Sequence, residues 1–194
     1  AGANRVITMD LHADQIQGYF DIPVDHLTAM PLFVKYFQNL KLKDLIVVAP
    51  DTGRAKTAKK LADRLGAELA ILHKTRPEHN KAAIMHVVGD VAGKTVLLFD
   101  DMVDTAGSVT QGLTALRKQG CNEGMYLACT HPVFSGPAIE RLVSAGFKEV
   151  VVTNTIPLGT EKKFSGLKVL STAPLFAEAI SRNHNNISIS EIFK

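Results

Sequence analysis

The chemically most distinctive stretch of the sequence is an apolar run that ends in two aspartates and continues into short polar side chains. It spans residues 96–110 and reads VLLFDDMVDTAGSVT, with the acidic pair at Asp100 and Asp101. Carboxylates accept hydrogen bonds from sugar hydroxyls, and free backbone N–H groups at a helix start attract an anion. The stretch therefore predicts a site for a phosphorylated ribose.

The residues expected to hold the phosphate follow the acidic pair after two spacer residues. Small side chains here let the backbone approach a ligand closely, and hydroxyls can donate to phosphate oxygens. A simple helix cap would explain Asp104 or Thr105 equally well, but it does not explain the preceding acidic pair. The predicted phosphate loop consists of Asp104, Thr105, Ala106, Gly107 and Ser108.

A second loop between a predicted strand and a predicted helix carries charges that suit a pyrophosphate. It consists of Asp51, Thr52, Gly53 and Arg54. Positive charge at a helix start opposes the helix dipole unless an anion binds there. For Lys59 and Lys60, which follow, a solvated helix face is a fair alternative. For Asp51 and Arg54 we favour binding, because a metal-bridged pyrophosphate needs both a carboxylate and a cation.

Acidic residues end three of the predicted strands, at Asp10, at Asp51 and at the Asp100–Asp101 pair, and His12 lies close to the first. In open α/β sheets, ligands bind outside the carboxyl ends of the strands. Carboxylates gathered there suit Mg²⁺, since hard cations prefer oxygen ligands. Any single aspartate could equally mark a strand end that faces water, but recurrence in three strands favours a shared site.

The elements that must position these residues alternate between strand and helix. Continuous apolar runs, typical of buried parallel strands, lie at 6–12, 45–51, 95–101 and 149–155. Segments with helical spacing separate them and stop at glycines such as Gly66 and Gly120. Further strands are predicted at 69–72, 125–129 and 168–170, and a helix at 174–182 that begins with Pro174. This alternation predicts an α/β fold with helices on both faces of the sheet.

Two segments depart from the alternation. Residues 74–81, KTRPEHNK, combine a proline with several charges and are interpreted as an exposed loop. Residues 183–194, NHNNISISEIFK, are polar at first and then alternate apolar with polar side chains, which predicts a short edge strand.

Composition limits the classes of function. The chain has 194 residues, of which 46% are apolar, enough for a substantial core. Its net charge of +3 gives no indication of nucleic acid or an anionic membrane as partner. Two cysteines without metal-binding spacing favour a reducing compartment. No apolar run is long enough for a bilayer, so we expect a cytoplasmic protein. The chain opens without Met, so we expect it to be the later part of a longer protein.

The motifs resemble those of a known family. The acidic pair, the two spacers and the DTAGS run resemble the PRPP-binding motif of the phosphoribosyltransferase fold, with serine at a last position that is more often threonine. Residues 10–25, DLHADQIQGYFDIPVD, closely resemble the signature of ribose-phosphate diphosphokinases, also called PRPP synthetases. Matches at 130–138 and 151–155 extend the resemblance over nearly the whole chain.

The resemblance implies a role for each part of the site. Asp100 and Asp101 would hold the ribose 2- and 3-hydroxyls, and the phosphate loop would cradle the 5-phosphate. Lys74 and Arg76 align with the catalytic flexible loop, and Arg76 would also contact ribose 5-phosphate. The metal-contacting residues of the Mg-ATP complex would be His12 and Asp51.

The resemblance also implies an architecture and a reaction. Residues 1–35 would be the end of an incomplete N-terminal phosphoribosyltransferase-like domain, and the missing part would hold ATP. Residues 36–174 would form the ribose 5-phosphate-binding domain, and a helix and strand at 175–194 would pack on the N-terminal domain. The enzyme would transfer the pyrophosphoryl group of Mg-ATP to ribose 5-phosphate for nucleotide biosynthesis. A homo-oligomer, usually a hexamer in the family, is implied as well.

Two other functions stay open at this point. A phosphoribosyltransferase that consumes PRPP would share the motif at 96–110, although residues 10–18 argue against it. A PRPP-synthetase-like subunit without activity would explain a missing ATP region, although an intact Lys74, Arg76 and Asp100 argue against a decayed site.

Overall fold

The computed structural model of the protein describes residues 2–75 and 84–193. Its strands are β1 (Val6–Met9), β2 (Val24–Leu27), β3 (Leu45–Ala49), β4 (Glu68–Thr75), β5 (Ile84–Val88), β6 (Thr95–Val103), β7 (Tyr126–Pro132), β8 (Glu149–Thr153) and β9 (Leu167–Leu170). Its α-helices are α1 (Met30–Leu40), α2 (Ala55–Leu65), α3 (Gly107–Lys118), α4 (Ala138–Ala145) and α5 (Ala173–His184). Arg76, predicted to be catalytic, lies outside the described residues.

The larger of the two sheets has seven strands in the order β5-β4-β3-β6-β7-β8-β9. All its neighbouring strands pair in parallel except β4 and β5, which pair antiparallel. Parallel strands place their carboxyl ends at one edge, so the segments that follow β3 and β6 lie side by side. The predicted α/β fold and its central parallel strands are confirmed.

Side chains alternate between the two faces of this sheet and form two separate cores. Val48 and Leu98 face one core, which α3 and α4 cover with apolar residues such as Leu116. Val47 and Leu97 face the other core, which α1, α2 and α5 cover. Both faces are therefore buried, and this explains why the strands are continuous apolar runs rather than alternating ones.

Four features differ from the sequence-based expectation. Strand β1 does not join the large sheet but pairs in parallel with β2 in a separate two-stranded sheet. The first two residues of the expected loop at 74–81 belong to β4, which continues through Thr75, and its other residues lie outside the described residues. The last residues form a 3-10 helix at Ile189–Phe193 instead of an edge strand, and Ile192 and Phe193 pack against the second core. Helix α1 and strands β2 and β5 were not predicted. The helix that begins at Pro174 is confirmed.

None of the helices within the described residues combines the length and the apolarity needed to cross a bilayer.

Candidate active site

The acidic pair lies near the carboxyl end of β6, where the apolar part of the strand stops. Side-chain exposure is 19% for Asp100 and 8% for Asp101. Burial, followed by the neighbouring Asp101, raises the pKa of Asp100 to about 7, against a smaller opposing effect of Arg54. Two carboxylates held this close with little solvent favour a cation or hydrogen-bond donors beside them.

A guanidinium and an imidazole occupy that position. Arg54 Nη2 donates to Asp101 Oδ2 and to the carbonyl oxygen of His12, the latter at 3.0 Å. His12 Nδ1 lies 2.8 Å from the same Asp101 oxygen. Arg54 Nη2 also lies 2.9 Å from His12 Nδ1, so this ring nitrogen contacts both members of the ion pair and Nε2 lies on the other side of the ring. The His12 side chain is 69% exposed, so Nε2 is available to a ligand.

The predicted pyrophosphate loop follows β3 and forms a short 3-10 turn over Thr52–Arg54. Asp51 Oδ1 accepts from the backbone N–H of Arg54 at 3.0 Å, which fixes the turn in front of α2. One oxygen of the predicted metal ligand Asp51 is thus used as a helix cap. Gly53 approaches the same carboxylate closely, since an added Cβ would lie 3.2 Å from Asp51 Oδ1.

The predicted phosphate loop joins β6 to α3. Ala106 has a left-handed backbone with a φ of 59°, and α3 begins directly afterwards at Gly107. The N–H groups of this first turn, including that of Ser108, have no partner within the helix. Arg141 on α4 holds the loop from outside by donating to the carbonyl of Thr105 at 2.9 Å. The arrangement presents amides and a helix N-terminus, as an anion site requires.

Asp104, the first residue of this loop, binds within the protein. Its carboxylate accepts from the hydroxyl of Ser135, and its carbonyl accepts from the Ser135 N–H at 3.1 Å. Asp104 therefore anchors the loop to the segment after β7, a role that the spacing of the motif did not indicate.

A network around Asp10 attaches the small sheet to the large one. Asp10 Oδ2 accepts from Thr130 Oγ1 at 2.7 Å and from the N–H of Ala29 at 2.9 Å. His131 Nε2 lies 3.0 Å from the Asp10 carbonyl oxygen, and Asp10 has a φ of 39°. An aspartate adopts this backbone more readily than most residues, and the bonds hold it there. The network sets the position of His12, two residues further along.

Sequence reasoning missed Thr130 and His131. Both follow the apolar part of β7 at the same rim as the acidic pair, which was the available signal. Lys74 lies on β4 one residue before its carboxyl end and is exposed. The strand order places this end beside that of β3, so Lys74 belongs to the same edge of the sheet.

An open cavity of about 420 Å³ lies at this rim, and Asp10, Arg54, Asp100, Asp101 and Thr130 are among its lining residues. Within residues 2–75 and 84–193, no three histidine, cysteine, aspartate or glutamate side chains are grouped to hold a metal. Mg²⁺ commonly uses one or two carboxylates together with substrate phosphates and water. The exposed imidazole of His12 and the exposed carboxylate of Asp51, of which only Oδ1 accepts a hydrogen bond among the described residues, therefore fit a cation that arrives with a phosphate ligand.

The fold defines the class of protein first. A solved adenine phosphoribosyltransferase (APRTase) from Giardia lamblia, in complex with 9-deazaadenine, superposes with a TM-score of 0.51 at 14% identity over 63% of this chain and 75% of that one. At this identity the likeness concerns the fold alone. The chain has the phosphoribosyltransferase-type α/β fold that the motif at 96–110 predicted.

A family model described as phosphoribosyl synthetase-associated domain matches residues 74–194. The chain belongs to this family. The ribose-phosphate pyrophosphokinases of Bacillus caldolyticus and Bacillus subtilis (strain 168) are 54% and 52% identical to it over 193 residues. The solved phosphoribosylpyrophosphate synthetase from Mycobacterium smegmatis has a TM-score of 0.87 and 46% identity.

The match does not cover these relatives completely. It includes 100% of this chain and 61% of each of the two Bacillus proteins. For the Mycobacterium smegmatis structure, it includes 95% of this chain and 60% of that one.

Proposed function

We propose that this chain is the ribose 5-phosphate-binding part of a ribose-phosphate diphosphokinase. The observation that carries the proposal is the junction of β6 and α3, where a buried acidic pair and a phosphate-type loop share one rim with His12 and Arg54. The names of relatives at 54% and 52% identity support the same activity.

In the proposed reaction, the 1-hydroxyl oxygen of ribose 5-phosphate attacks the β-phosphorus of ATP. The bond from this phosphorus to the oxygen that bridges it to the α-phosphorus breaks, AMP leaves, and the hydroxyl proton passes to solvent. Asp100 and Asp101 accept hydrogen bonds from the ribose hydroxyls, and the amides of residues 105–108 bind the 5-phosphate. This positioning converts an encounter of two substrates into a reaction within one complex.

Charge stabilises the transferring group. Lys74 and Arg76 bring positive charge to the pyrophosphoryl oxygens, where negative charge is redistributed during transfer. The loop from Asp51 to Arg54 contributes amides and a guanidinium. When bound, Mg²⁺ neutralises phosphate charge, and we propose His12 and Asp51 as the residues that hold it.

The proposal includes the surroundings of the site. Residues 1–35 are proposed to be the end of a first domain, residues 36–174 the ribose phosphate domain, and residues 175–194 a segment that packs on the first domain in addition to its contacts with the second core. We propose a homo-oligomer that acts in nucleotide biosynthesis in the cytoplasm, with ATP and ribose 5-phosphate as substrates and neither nucleic acid nor membrane as partner.

The test is product formation from Mg²⁺, ATP and ribose 5-phosphate, followed by chromatography of AMP and PRPP. Equimolar AMP and PRPP that depend on ribose 5-phosphate support the proposal, and Lys74→Ala should lower the rate by at least about 100-fold. If the chain binds ribose 5-phosphate but forms no AMP, while a longer version does, the chain is a binding part without activity of its own. If the chain instead releases pyrophosphate from PRPP in the presence of a nucleobase, it is a phosphoribosyltransferase and the proposal is wrong. If the chain has no activity of its own but stimulates a full-length synthetase, it is a regulatory subunit and the proposal is wrong as well.

A further inference from the structure

The side chain of Arg54 connects three parts of the candidate site. Its Nη2 donates to Asp101 and to the His12 carbonyl, and its Nε lies 3.9 Å from Asp100 Oδ1. Only 21% of the side chain is exposed. The guanidinium is therefore a largely buried counter-ion for the acidic pair and also a link between the segment after β1 and the end of β6.

This arrangement leaves Asp101 without an accessible acceptor. Its Oδ2 accepts from Arg54 and lies 2.8 Å from His12 Nδ1, and its Oδ1 is buried with no partner among the described residues. A sugar hydroxyl can reach this carboxylate once the guanidinium or the imidazole moves, and the guanidinium is the neighbour that also faces Asp100. An uncompensated buried oxygen costs free energy, so a donor that arrives at Asp101 replaces a bond to Arg54 and can also satisfy Oδ1.

The backbone of Arg54 defines where the released guanidinium remains. The residue is fixed by Asp51 at the end of the pyrophosphate loop and directly before the first residue of α2. Lys56 adds a second positive charge in the first helical turn. Cations at a helix N-terminus are unfavourable unless an anion is close. Once separated from Asp101, the guanidinium favours an anionic ligand at this loop.

We propose that Arg54 exchanges partners during ligand binding: it holds Asp101 and His12 in the free protein, is displaced by the ribose hydroxyls, and then binds the pyrophosphoryl oxygens. This inference rests on the proposed function and adds a coupling between its two ligand sites. Binding of the sugar makes the guanidinium available, so the two ligands favour each other although they contact different residues.

The exchange predicts effects of opposite sign for the two ligands. In Arg54→Gln, the sugar no longer has to displace a cation, so ribose 5-phosphate should bind about threefold to tenfold more tightly. Inorganic pyrophosphate should bind about tenfold more weakly, because a charge-assisted contact is lost. Isothermal titration calorimetry with the complete chain at about pH 8.5 measures both affinities, with ribose 5-phosphate titrated alone and pyrophosphate titrated in the presence of saturating ribose 5-phosphate.

Two further variants separate charge from folding. Arg54→Lys keeps the charge and should retain pyrophosphate affinity within about threefold of wild type. Lys59→Gln makes the same charge change on α2, the helix that directly follows Arg54, at a side chain that is 56% exposed and paired with Asp63. Lys59→Gln should alter neither affinity. Circular dichroism should report similar melting for Arg54→Lys, Lys59→Gln and wild type, and a cooperative transition at lower temperature for Arg54→Gln, which leaves Asp101 without its counter-ion.

The outcomes distinguish this inference from the proposed function. If Arg54→Gln weakens both ligands, Arg54 only holds the site together and the exchange is refuted. Unchanged affinities for both ligands refute it as well. If the wild-type chain binds neither compound, the proposed function fails and the exchange fails with it.

Discussion

At the scale of single residues, the site combines several charges in a space with little water. Asp100 and Asp101 are consecutive, mostly buried, and neutralised in part by Arg54. The residue types of the acidic pair were sufficient to predict a polar ligand. The contacts of Arg54 with His12 and Asp101 were not predictable, because they join residues 42 and 47 positions apart through the fold.

The raised pKa of Asp100 predicts how stability depends on pH. Its folded-state pKa of about 7 lies above the ordinary value of 3.8, so the folded protein binds more protons between these two values. This group therefore lowers the free energy of unfolding as the pH rises through that window. We expect Asp100→Asn to gain stability relative to wild type from about pH 4 to about pH 7, on the order of a few kcal/mol, and the gain to level off above.

Urea unfolding of both proteins at about pH 4.5 and about pH 8 measures this difference. Asp21→Asn, at an exposed carboxylate, is the matched control and should follow wild type. A stability difference between Asp100→Asn and wild type that stays constant with pH would show that Asp100 titrates at its ordinary pKa.

At the scale of elements, the site depends on the attachment of the small sheet to the large one. The sequence pattern predicted β1 correctly as a strand but assigned it to the common sheet. Its actual partner β2 is only four residues long, too short for a clear pattern. The last residues formed a 3-10 helix because Ile192 and Phe193 pack on the second core, and a packing contact of this kind overrides a weak alternation.

Thr130→Val tests the attachment. Thr130 is 1% exposed, and valine keeps its shape but removes the bond to Asp10 Oδ2. We expect a loss of about 1–2 kcal/mol in the free energy of unfolding. Because Asp10 positions His12, which we propose to hold Mg²⁺, pyrophosphate should also bind more weakly in the presence of Mg²⁺.

The control for this variant is Thr114→Val. Thr114 is exposed, and its hydroxyl only donates to the Thr110 carbonyl of its own helix. It should leave ligand binding unchanged. Equal effects of Thr130→Val and Thr114→Val on ligand binding would show that Thr130 does not contribute to the site.

A second prediction at this scale concerns α1. Phe33 is fully buried, and its ring packs edge-on against Phe99 with the ring centroids 5.6 Å apart. Phe99 directly precedes Asp100. Phe33→Ala should cost about 3–5 kcal/mol in the free energy of unfolding, measured by urea titration. Val143→Ala, at a side chain that is 56% exposed, should change stability by less than about 0.5 kcal/mol.

At the scale of the whole molecule, the chain spans 61% of the length of its Bacillus relatives. The α/β class followed from the apolar runs, and the family followed from two motifs, residues 10–25 and 96–110. The two-sheet arrangement did not follow, because pairing between distant strands leaves no local signal. Tyr19 and Phe20, between β1 and β2, are exposed.

Ligand binding should stabilise the molecule as a whole. A compound that binds only the folded state adds about 2.7 kcal/mol at 100 times its dissociation constant. We expect ribose 5-phosphate to raise the melting temperature and ribose at the same concentration to have little effect, because in the proposed site the phosphate loop would supply much of the affinity. Differential scanning fluorimetry compares the two. Equal shifts of the melting temperature with the two compounds would show that the phosphate loop does not contribute to binding.

The most direct test of the central claim is to locate ribose 5-phosphate on the protein by NMR. Titration of the isotope-labelled chain should shift the backbone amide signals of residues 100–101 and 104–108 along one saturable curve, and Asp100→Asn should weaken that curve. Saturable shifts confined to other parts of the protein, or no shifts at millimolar ligand, would contradict the assignment of this rim as the ribose phosphate site.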